Sequence, residues 1–389
     1  MKILTKVCRL LFSITFILSG TFKLIDPVGA GLKVGEYLSF MHLDFLSGGQ
    51  IWIGIILACV EFVTGAALLV GLKMRFFATA ALCLETFFTL LTLYLALFNP
   101  ISDCGCFGEA IHLTNMESFV KNLVLLLFAV LIFIGRKQSP LPVPDWLQWC
   151  FVAIFAAAAL LLAVIEKSTI PHIDFTAYNS GTDINDVYSE GQAEYETSFV
   201  YEKNGVREEF TLENLPDSSW TFVDSKSTLL YGDTRMAQVD FRPHTFYGDF
   251  FAVSVYDREI LEDPDFQKDL YRFRTSCDAA RVELAVYTPQ GKDGEYQSDR
   301  KSLMTLNRSN GGITYFSDGV IVKKWPRCDL DEIDAALICQ EDPDVIILNQ
   351  RISEQLFVSM LIAGMLVILL LLHYFCRIFA ADEKITDDK

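Results

Sequence analysis

Six apolar runs divide this 389-residue chain, and each is long enough to cross a membrane as a helix. A helix needs about 20 predominantly apolar residues to span the hydrocarbon core of a bilayer. The pattern therefore predicts six transmembrane helices. They lie at about residues 7–25, 51–71, 76–98, 118–135, 147–165 and 355–376.

A signal peptide is the alternative interpretation of the first run, because Lys2, Lys6 and Arg9 give it a basic start. No small-residue cleavage site follows the run, and residues 20–24 continue the helical pattern. We therefore expect a first transmembrane helix with its amino terminus in the cytoplasm.

The segment after the first run is too polar to span a membrane. Asp26 and Pro27 form a typical helix start, with a capping carboxylate and a proline at the first helical position. Residues 28–46 then mix apolar side chains with Lys33 and Glu36. This mixture predicts an amphipathic helix on the outer surface of the membrane.

Basic residues between the runs predict the topology, because lysine and arginine favour cytoplasmic loops. If the spans alternate in direction, one side holds Lys2, Lys6, Arg9, Lys73, Arg75, Arg136, Lys137, Arg377 and Lys384. The loop at residues 99–117 has no lysine or arginine, and it falls on the other side with residues 168–352. We therefore predict a multi-pass protein of the bacterial inner membrane, with residues 168–352 in the periplasm.

The charge of the chain is concentrated in its outer part. The net charge is −17, and nearly all of the excess acid lies between residues 171 and 350. An acidic surface argues against nucleic acid as a partner. The chain also has no P-loop, dinucleotide-binding, zinc-protease or serine-hydrolase signature, so those classes of enzyme have no support.

Two cysteines flank one glycine in the loop at residues 103–108, which reads Asp-Cys-Gly-Cys-Phe-Gly. Cα atoms two residues apart can approach to the roughly 4.4–6.8 Å that a disulfide needs, and Gly105 frees the backbone to turn. The resulting small ring is strained, so such a disulfide is easily reduced. The pattern predicts Cys104 and Cys106 as an exchangeable catalytic pair, supported by Asp103 and Gly105.

Three other interpretations of this loop stay open. The two cysteines form a static disulfide, remain as free thiols, or bind Cu(I) or Zn together with His112. No fourth metal ligand is visible nearby, and we predict no metal site.

Two acidic residues lie near the middle of predicted spans, Glu61 in the second and Glu85 in the third. A charged side chain there costs about 2.5–3.5 kcal/mol unless it is neutral or paired. Lys23, near the end of the first span, is the expected partner. These residues indicate a proton path or a quinone-headgroup site beside the dithiol, or else a polar contact that holds helices together.

Residues 1–137 resemble the DoxX/MauE group of small membrane proteins. The resemblance rests on Gly-Thr-Phe-Lys-Leu-Ile-Asp-Pro at 20–27, on Glu61 and on the cysteine string at 103–108. It implies a four-helix, redox-associated bundle with a likeness to quinone-linked thiol-oxidising membrane proteins. MauE-like members are associated with the maturation of exported proteins that contain disulfides.

The external segment begins with strand-like residues. Residues 196–202 and 206–212 predict a hairpin around an Asn-Gly turn at 204–205, and residues 220–224 and 227–231 predict a second pair of strands.

From residue 248 onward the order of elements resembles a thioredoxin-like fold. The predicted elements are a strand at 250–256, a helix at 263–280, a strand at 282–287, a hairpin of 313–316 with 320–324, and a helix at 330–338. Residues 257–259 stand where this fold carries Cys-x-x-Cys, and Gly311-Gly312 stand where it carries a cis-proline. The resemblance therefore implies a non-catalytic domain for binding or support. A disulfide from Cys277 to Cys328 or Cys339 stays open.

These patterns predict an α-helical membrane bundle with an external α/β domain. The segments are a DoxX/MauE-like four-span unit (1–137), a proline-rich connector with the fifth span (138–167), an external β-rich segment (168–247), an external thioredoxin-like domain without Cys-x-x-Cys (248–352), and the sixth span with a cytoplasmic tail (353–389).

The expected function is thiol–disulfide redox chemistry at the outer face of the inner membrane. A quinone or an exported thiol protein is the expected redox partner, and membrane lipid surrounds the spans. The alternative is a non-enzymatic scaffold whose external domain binds an exported partner. A third interpretation is metal or small-solute handling through the bundle.

Overall fold

The computed structural model describes residues 2–99, 101, 103–137, 143–184, 194–203, 206–211, 216, 220–231, 248–291, 294–298 and 300–387. Within these ranges, six helices are long and apolar enough to cross a membrane. The prediction of a multi-pass membrane protein is therefore confirmed. The spans are Ile3–Ile25, Phe45–Val70, Met74–Phe98, Asn115–Gly135, Asp145–Ser168 and Pro343–Ile368.

The helices of the first 168 residues form a membrane unit in which the first helix lies at the centre. They are α1 (Lys2–Ile25), α2 (Pro27–Phe40), α3 (Gln50–Val70), α4 (Met74–Phe98), α5 (Asn115–Gly135) and α6 (Asp145–Ser168). α1 contacts α3, α5 and α6. A Cβ added at Gly20 would lie 2.7 Å from the backbone nitrogen of Phe62. Such small residues let helix backbones approach closely, which stabilises helix pairs in lipid.

Helix α2 differs from the surface helix predicted at residues 28–46. It ends at Phe40, and a 3₁₀ turn over Asp44–Gly49 follows it. One flank of α2 packs against α3, and Lys33 on this helix is buried. The predicted position was wrong because the charged side chains of α2 find partners inside the protein instead of water.

A small antiparallel sheet follows the fifth span. Its strands are β1 (Glu194–Lys203), β2 (Val206–Thr211) and β3 (Thr221–Tyr231), in the order β2-β1-β3. The predicted first hairpin is confirmed at its strands, where Lys203 pairs with Val206, while the turn at 204–205 lies outside the described residues. The predicted second pair was wrong, because β3 is one strand. Residues 225–227 contain neither glycine nor proline, and they continue the ladder with β1.

A five-stranded mixed sheet follows, and it belongs to the outer domain, the name used below for residues 168–352. Its strands are β4 (Asp249–Ser254), β5 (Glu283–Thr288), β6 (Tyr296–Gln297), β7 (Gly312–Ser317) and β8 (Val320–Trp325). They lie in the order β6-β5-β4-β7-β8, with β4 parallel to β5 and antiparallel to β7. Helix α7 (Pro264–Ala280) packs on one face through Phe266 and Phe273, and α8 (Arg300–Leu306) packs on the other through Leu303. The predicted strand–helix–strand–hairpin order is confirmed, and kinship with thioredoxin-like proteins stays a prediction.

The elements after this sheet differ in length from those predicted. The helix expected at 330–338 is a four-residue helix, α9 (Ala335–Ile338). The last helix, α10 (Pro343–Asp387), begins well before the predicted position 355. Its start is set by Asp342, whose carboxylate accepts the N–H of Asp344 at 3.0 Å. The apolar pattern marks only the membrane-spanning part of such a helix.

The outer domain sits on the end of the membrane unit that carries the cysteine loop. Arg308, just after α8, pairs with Asp26 at 2.6 Å, and Lys301 of α8 pairs with Glu36 of α2. The structure therefore confirms that residues 103–108 and the outer domain lie at the same end of the bundle. Which compartment this end faces stays a prediction.

Candidate functional site

Cys104 and Cys106 lie side by side in the dithiol loop, the name used below for residues 103–108. Their sulfur atoms are 2.8 Å apart, and both are free thiols. A disulfide bond is about 2.0 Å long, so the sulfurs need to move by less than about 1 Å to bond. Gly105 between them has φ = +59°, in the left-handed region that glycine adopts without steric cost.

Helix α2 covers the dithiol loop. A Cβ added at Gly105 would lie 2.8 Å from Cγ of Lys33. The Tyr37 hydroxyl donates a hydrogen bond to the carbonyl oxygen of Cys104 at 2.8 Å. Burial, and then the neighbouring Cys104, raise the pKa of Tyr37, so the phenol keeps its proton. Lys33 and Tyr37 were not among the predicted site residues, because the sequence pattern predicts α2 on the membrane surface.

Asp103 holds the start of the loop. Its Oδ1 accepts the backbone N–H of Gly105 at 3.1 Å and pairs with Lys33 Nζ at 2.9 Å, while its Oδ2 lies 3.1 Å from Nδ1 of His112. His112 therefore contacts the carboxylate of Asp103, which was not among the metal ligands considered from the sequence. Within the described ranges, no three or more His, Cys, Asp or Glu side chains are arranged to hold a metal ion.

A buried ion pair lies beneath the loop. The Lys23 ammonium is 2.8 Å from both carboxylate oxygens of Glu61, and both side chains are almost fully buried. The predicted pairing of these two residues is therefore confirmed. The Ser19 hydroxyl lies 2.7 Å from a Glu61 oxygen and 2.7 Å from the carbonyl oxygen of Cys106. Because a hydroxyl has one proton, it donates to one of these acceptors at a time.

An apolar cavity of about 330 Å³ opens below the dithiol loop, inside the membrane unit. Side chains from α1 to α5 line it, and so do Cys104, Gly105 and Cys106. Glu85 also lines the cavity and is 1% exposed. Among the atoms that the structure describes, its Oε1 has no hydrogen-bond partner. A buried polar atom without a partner costs about 1–3 kcal/mol, so this oxygen is available to a hydrogen-bonding group inside the cavity.

Lys121 of α5 is a functional candidate that sequence analysis missed. It lines the cavity, and its ammonium lies 4.6 Å from the ring centre of Phe107, next to Cys106. A hydrogen bond from the Cys104 thiol, followed by the positive charges of Lys121 and Lys23, lowers the pKa of Cys106 despite its burial. The same thiol contact raises the pKa of Cys104. The sequence does contain one indication of its role: Lys121 lies alone inside a predicted span, where ionisable residues are usually functional.

The structure brings all of the predicted site residues to one place. The same cavity is lined by Lys23, Glu61, Glu85 and the two cysteines with Gly105 between them. Asp103 belongs to the same loop, and its carboxylate accepts the N–H of Gly105. Their chemical roles stay predictions. In the outer domain, Cys277, Cys328 and Cys339 are all free thiols, so the structure contains none of the disulfides that sequence analysis left open there.

Comparison with known families identifies two parts of the chain. Residues 195–231, which contain β1 to β3, match a family described as a domain of unknown function, DUF8463. Searches of curated proteins and of solved structures gave no match. Residues 1–135 match the family described as Methylamine utilisation protein MauE. The first five helices of the membrane unit, α1 to α5, are therefore MauE-like.

Proposed function

We propose that this protein is a membrane-bound thiol–disulfide oxidoreductase in which Cys104 and Cys106 are the reacting groups. The observation that carries the proposal is the contact of two free thiols, 2.8 Å apart, at the end of a cavity in the membrane unit. The thiolate is the nucleophilic form of cysteine, and the pKa of Cys106 is lowered by its neighbours. The pair is thus set up to exchange between dithiol and disulfide.

The proposed reaction takes place at the outer face of a bacterial inner membrane. Support comes from the basic residues in the first turns of α1 and in the loops at the end opposite the dithiol loop, among them Lys6, Arg9, Lys73, Arg75 and Arg136, because lysine and arginine favour cytoplasmic loops. The lysines near the dithiol loop lie inside the protein, where Lys23 and Lys33 pair with buried carboxylates. An exterior compartment favours disulfide formation, whereas the cytoplasm keeps thiols reduced. The proposed substrate is the thiol pair of an exported protein.

The chain's own residues account for the exchange step. In the oxidised protein, a substrate thiolate attacks one sulfur of the Cys104–Cys106 disulfide and releases the other as a thiolate. The second substrate thiolate then attacks the mixed disulfide. The substrate leaves with a new disulfide, and Cys104 and Cys106 hold its two electrons. Asp103, Lys33 and Tyr37 hold the loop in position in the dithiol state.

Redox titration tests this proposal. The full-length protein in lipid nanodiscs is equilibrated with glutathione buffers of graded potential, its thiols are alkylated, and the labelled sites are read by mass spectrometry. Cys104 and Cys106 should lose labelling together at one midpoint, with the slope of a two-electron couple. Cys83→Ser is the matched control, because Cys83 is exposed on the outer surface of α4, and it should leave the midpoint unchanged. Persistent labelling of both cysteines at every potential would overturn the proposal.

A second candidate, a scaffold, is favoured by a separate observation. The outer domain is fixed to the membrane unit by Arg308–Asp26 and Lys301–Glu36, so it is held in a defined orientation for a partner. A scaffold keeps its cellular function when Cys104 and Cys106 are both replaced by serine. An oxidoreductase loses that function entirely, so this double variant separates the two candidates.

A further inference from the structure

The cavity under the dithiol loop has walls suited to a ligand that dissolves in lipid. Ligand sites of small molecules are typically apolar clefts of about 300–1,000 Å³ with a few polar groups that fix orientation. The cavity here is about 330 Å³. Ile53 of α3 and Phe87 of α4 line it and are at the same time 37% and 55% exposed. The cavity therefore reaches the lipid-facing surface between α3 and α4.

The polar groups of the cavity gather close to the dithiol. Lys23 and Glu61 satisfy each other. Among the described residues, two further groups face the cavity: the Lys121 ammonium, which also contacts the Cys106 thiol, and Oε1 of Glu85, which has no hydrogen-bond partner there. A planar ring with a hydrogen-bonding oxygen at each end suits this arrangement, because one oxygen can bond to Lys121 and the other to Glu85. Such a ring with an apolar tail also suits the opening toward lipid.

We propose that this cavity binds a membrane quinone and that Cys106 contacts the quinone ring, with Lys121 and Glu85 positioning its two oxygens. The proposal rests on the oxidoreductase function proposed above and names the electron acceptor. Cys104 is only 8% exposed and Lys33 of α2 lies against Gly105, while Cys104, Gly105 and Cys106 all line the cavity. An acceptor that arrives through the lipid does not require α2 to move.

The electron balance of the step closes. Formation of the Cys104–Cys106 disulfide breaks two S–H bonds, makes one S–S bond and releases two electrons and two protons. Reduction of one quinone to its hydroquinone takes up two electrons and two protons. No further oxidant is needed. With a quinone bound as proposed, Lys121 and Glu85 would be the cavity groups that pass the two protons to its ring oxygens.

The test is a single-turnover reaction with decylubiquinone as the probe. The full-length protein in quinone-free nanodiscs is reduced, freed of reductant under anaerobic conditions and mixed with the probe, first at one equivalent and then at increasing excess. The loss of quinone absorbance and the loss of Cys104 and Cys106 labelling are followed together. Both should change with the same rate constant, and that rate should saturate with probe concentration. Because the ring of this probe is fully substituted, thiols do not add to it.

Matched tryptophan variants show whether the reaction occurs in the cavity. Leu91 lines the cavity, whereas Leu90 is 63% exposed on the outer surface of the same helix. Leu91→Trp should slow oxidation by the probe at least tenfold, and Leu90→Trp should leave it unchanged. Both variants should keep the glutathione midpoint of the dithiol, which shows that they fold.

The outcomes separate this inference from the function on which it rests. If glutathione interconverts the dithiol and the disulfide but decylubiquinone never oxidises them, the quinone site is wrong and the oxidoreductase stands. Equal rates in Leu91→Trp and Leu90→Trp also overturn the quinone site. If no oxidant pairs Cys104 with Cys106, both proposals are wrong.

Discussion

Arg308 and Asp26 are 282 positions apart in the chain, yet Nη2 of the arginine lies 2.6 Å from Oδ2 of the aspartate in a buried contact. The other oxygen of Asp26 accepts the backbone N–H of Gly29 at 2.8 Å and caps α2. One carboxylate therefore orients the helix that covers the dithiol loop and also holds the outer domain against it. We therefore predict that Asp26 couples the outer domain to the dithiol.

Asp26→Asn tests that coupling. An asparagine oxygen still caps α2, but it leaves the buried Arg308 guanidinium without a countercharge. Breaking a buried pair by removing one partner typically costs about 3–5 kcal/mol. We expect a lower free energy of unfolding, and faster hydrogen exchange in α8 and in the dithiol loop, measured by mass spectrometry on the protein in nanodiscs.

Asp145→Asn is the matched control for this variant. Asp145 pairs with Lys73 at the opposite end of the bundle, and its side chain is 88% exposed. Exposed pairs contribute about 0–1 kcal/mol, so this change should alter neither stability nor exchange at the loop. Equal effects of the two substitutions would show that Asp26 and Arg308 do not couple the domains.

The Lys23–Glu61 pair should behave as one unit. Glu61→Gln leaves the Lys23 ammonium buried without a countercharge, and Lys23→Met leaves the Glu61 carboxylate in the same state. Each single substitution should therefore destabilise the protein by about 3–5 kcal/mol. The double variant has no unpaired charge, so its loss should be clearly smaller than the sum. A double-mutant cycle from unfolding in nanodiscs measures this, and additive losses would contradict the pairing.

Much of this site could be predicted from sequence, for a physical reason. Glu61, Glu85 and Lys23 stand out because ionisable groups are costly in a membrane, and a Cys-Gly-Cys loop stands out by its chemistry. Helix α2 could not be placed in the same way. A helix with one apolar flank lies on lipid or packs between two protein layers, and its sequence pattern is the same in both cases.

Lys121 escaped prediction for a related reason. It lies in the second turn of α5, and a lysine near the end of a span usually extends to the membrane surface. Only the fold shows that its ammonium turns toward Phe107 and Cys106. Likewise, the partners of Asp26 and Glu36 come from residues about 270 positions away, and no local pattern indicates such contacts.

Gly105→Ala should disturb the dithiol. Alanine in the left-handed conformation costs about 1–2 kcal/mol, and its Cβ would lie 2.8 Å from Cγ of Lys33. We expect the loop to shift, the two sulfurs to separate and the glutathione midpoint to change. Gly48→Ala is the control, because an added Cβ there meets nothing within 4 Å. An unchanged midpoint in Gly105→Ala would show that the turn does not set the thiol contact.

Lys121→Gln should change the pH dependence of thiol reactivity. A thiol reacts as the thiolate, above its pKa, and the Lys121 charge helps to lower the pKa of Cys106. In the native protein, alkylation of Cys106 by iodoacetamide should therefore reach its plateau at a lower pH than for an ordinary cysteine. Without the ammonium the pKa rises, so the curve should move to higher pH. A rise of one unit means about tenfold slower labelling below both pKa values.

Lys301→Gln completes this experiment. It removes the same charge at the same end of the protein, but its partner is Glu36 and not Cys106. Its alkylation curve should therefore match that of the native protein, as read from Cys106 peptides by mass spectrometry. If Lys121→Gln and Lys301→Gln shift the curve equally, the effect comes from overall charge. A shift confined to Lys121→Gln shows that this lysine sets the protonation of the thiol that faces the cavity.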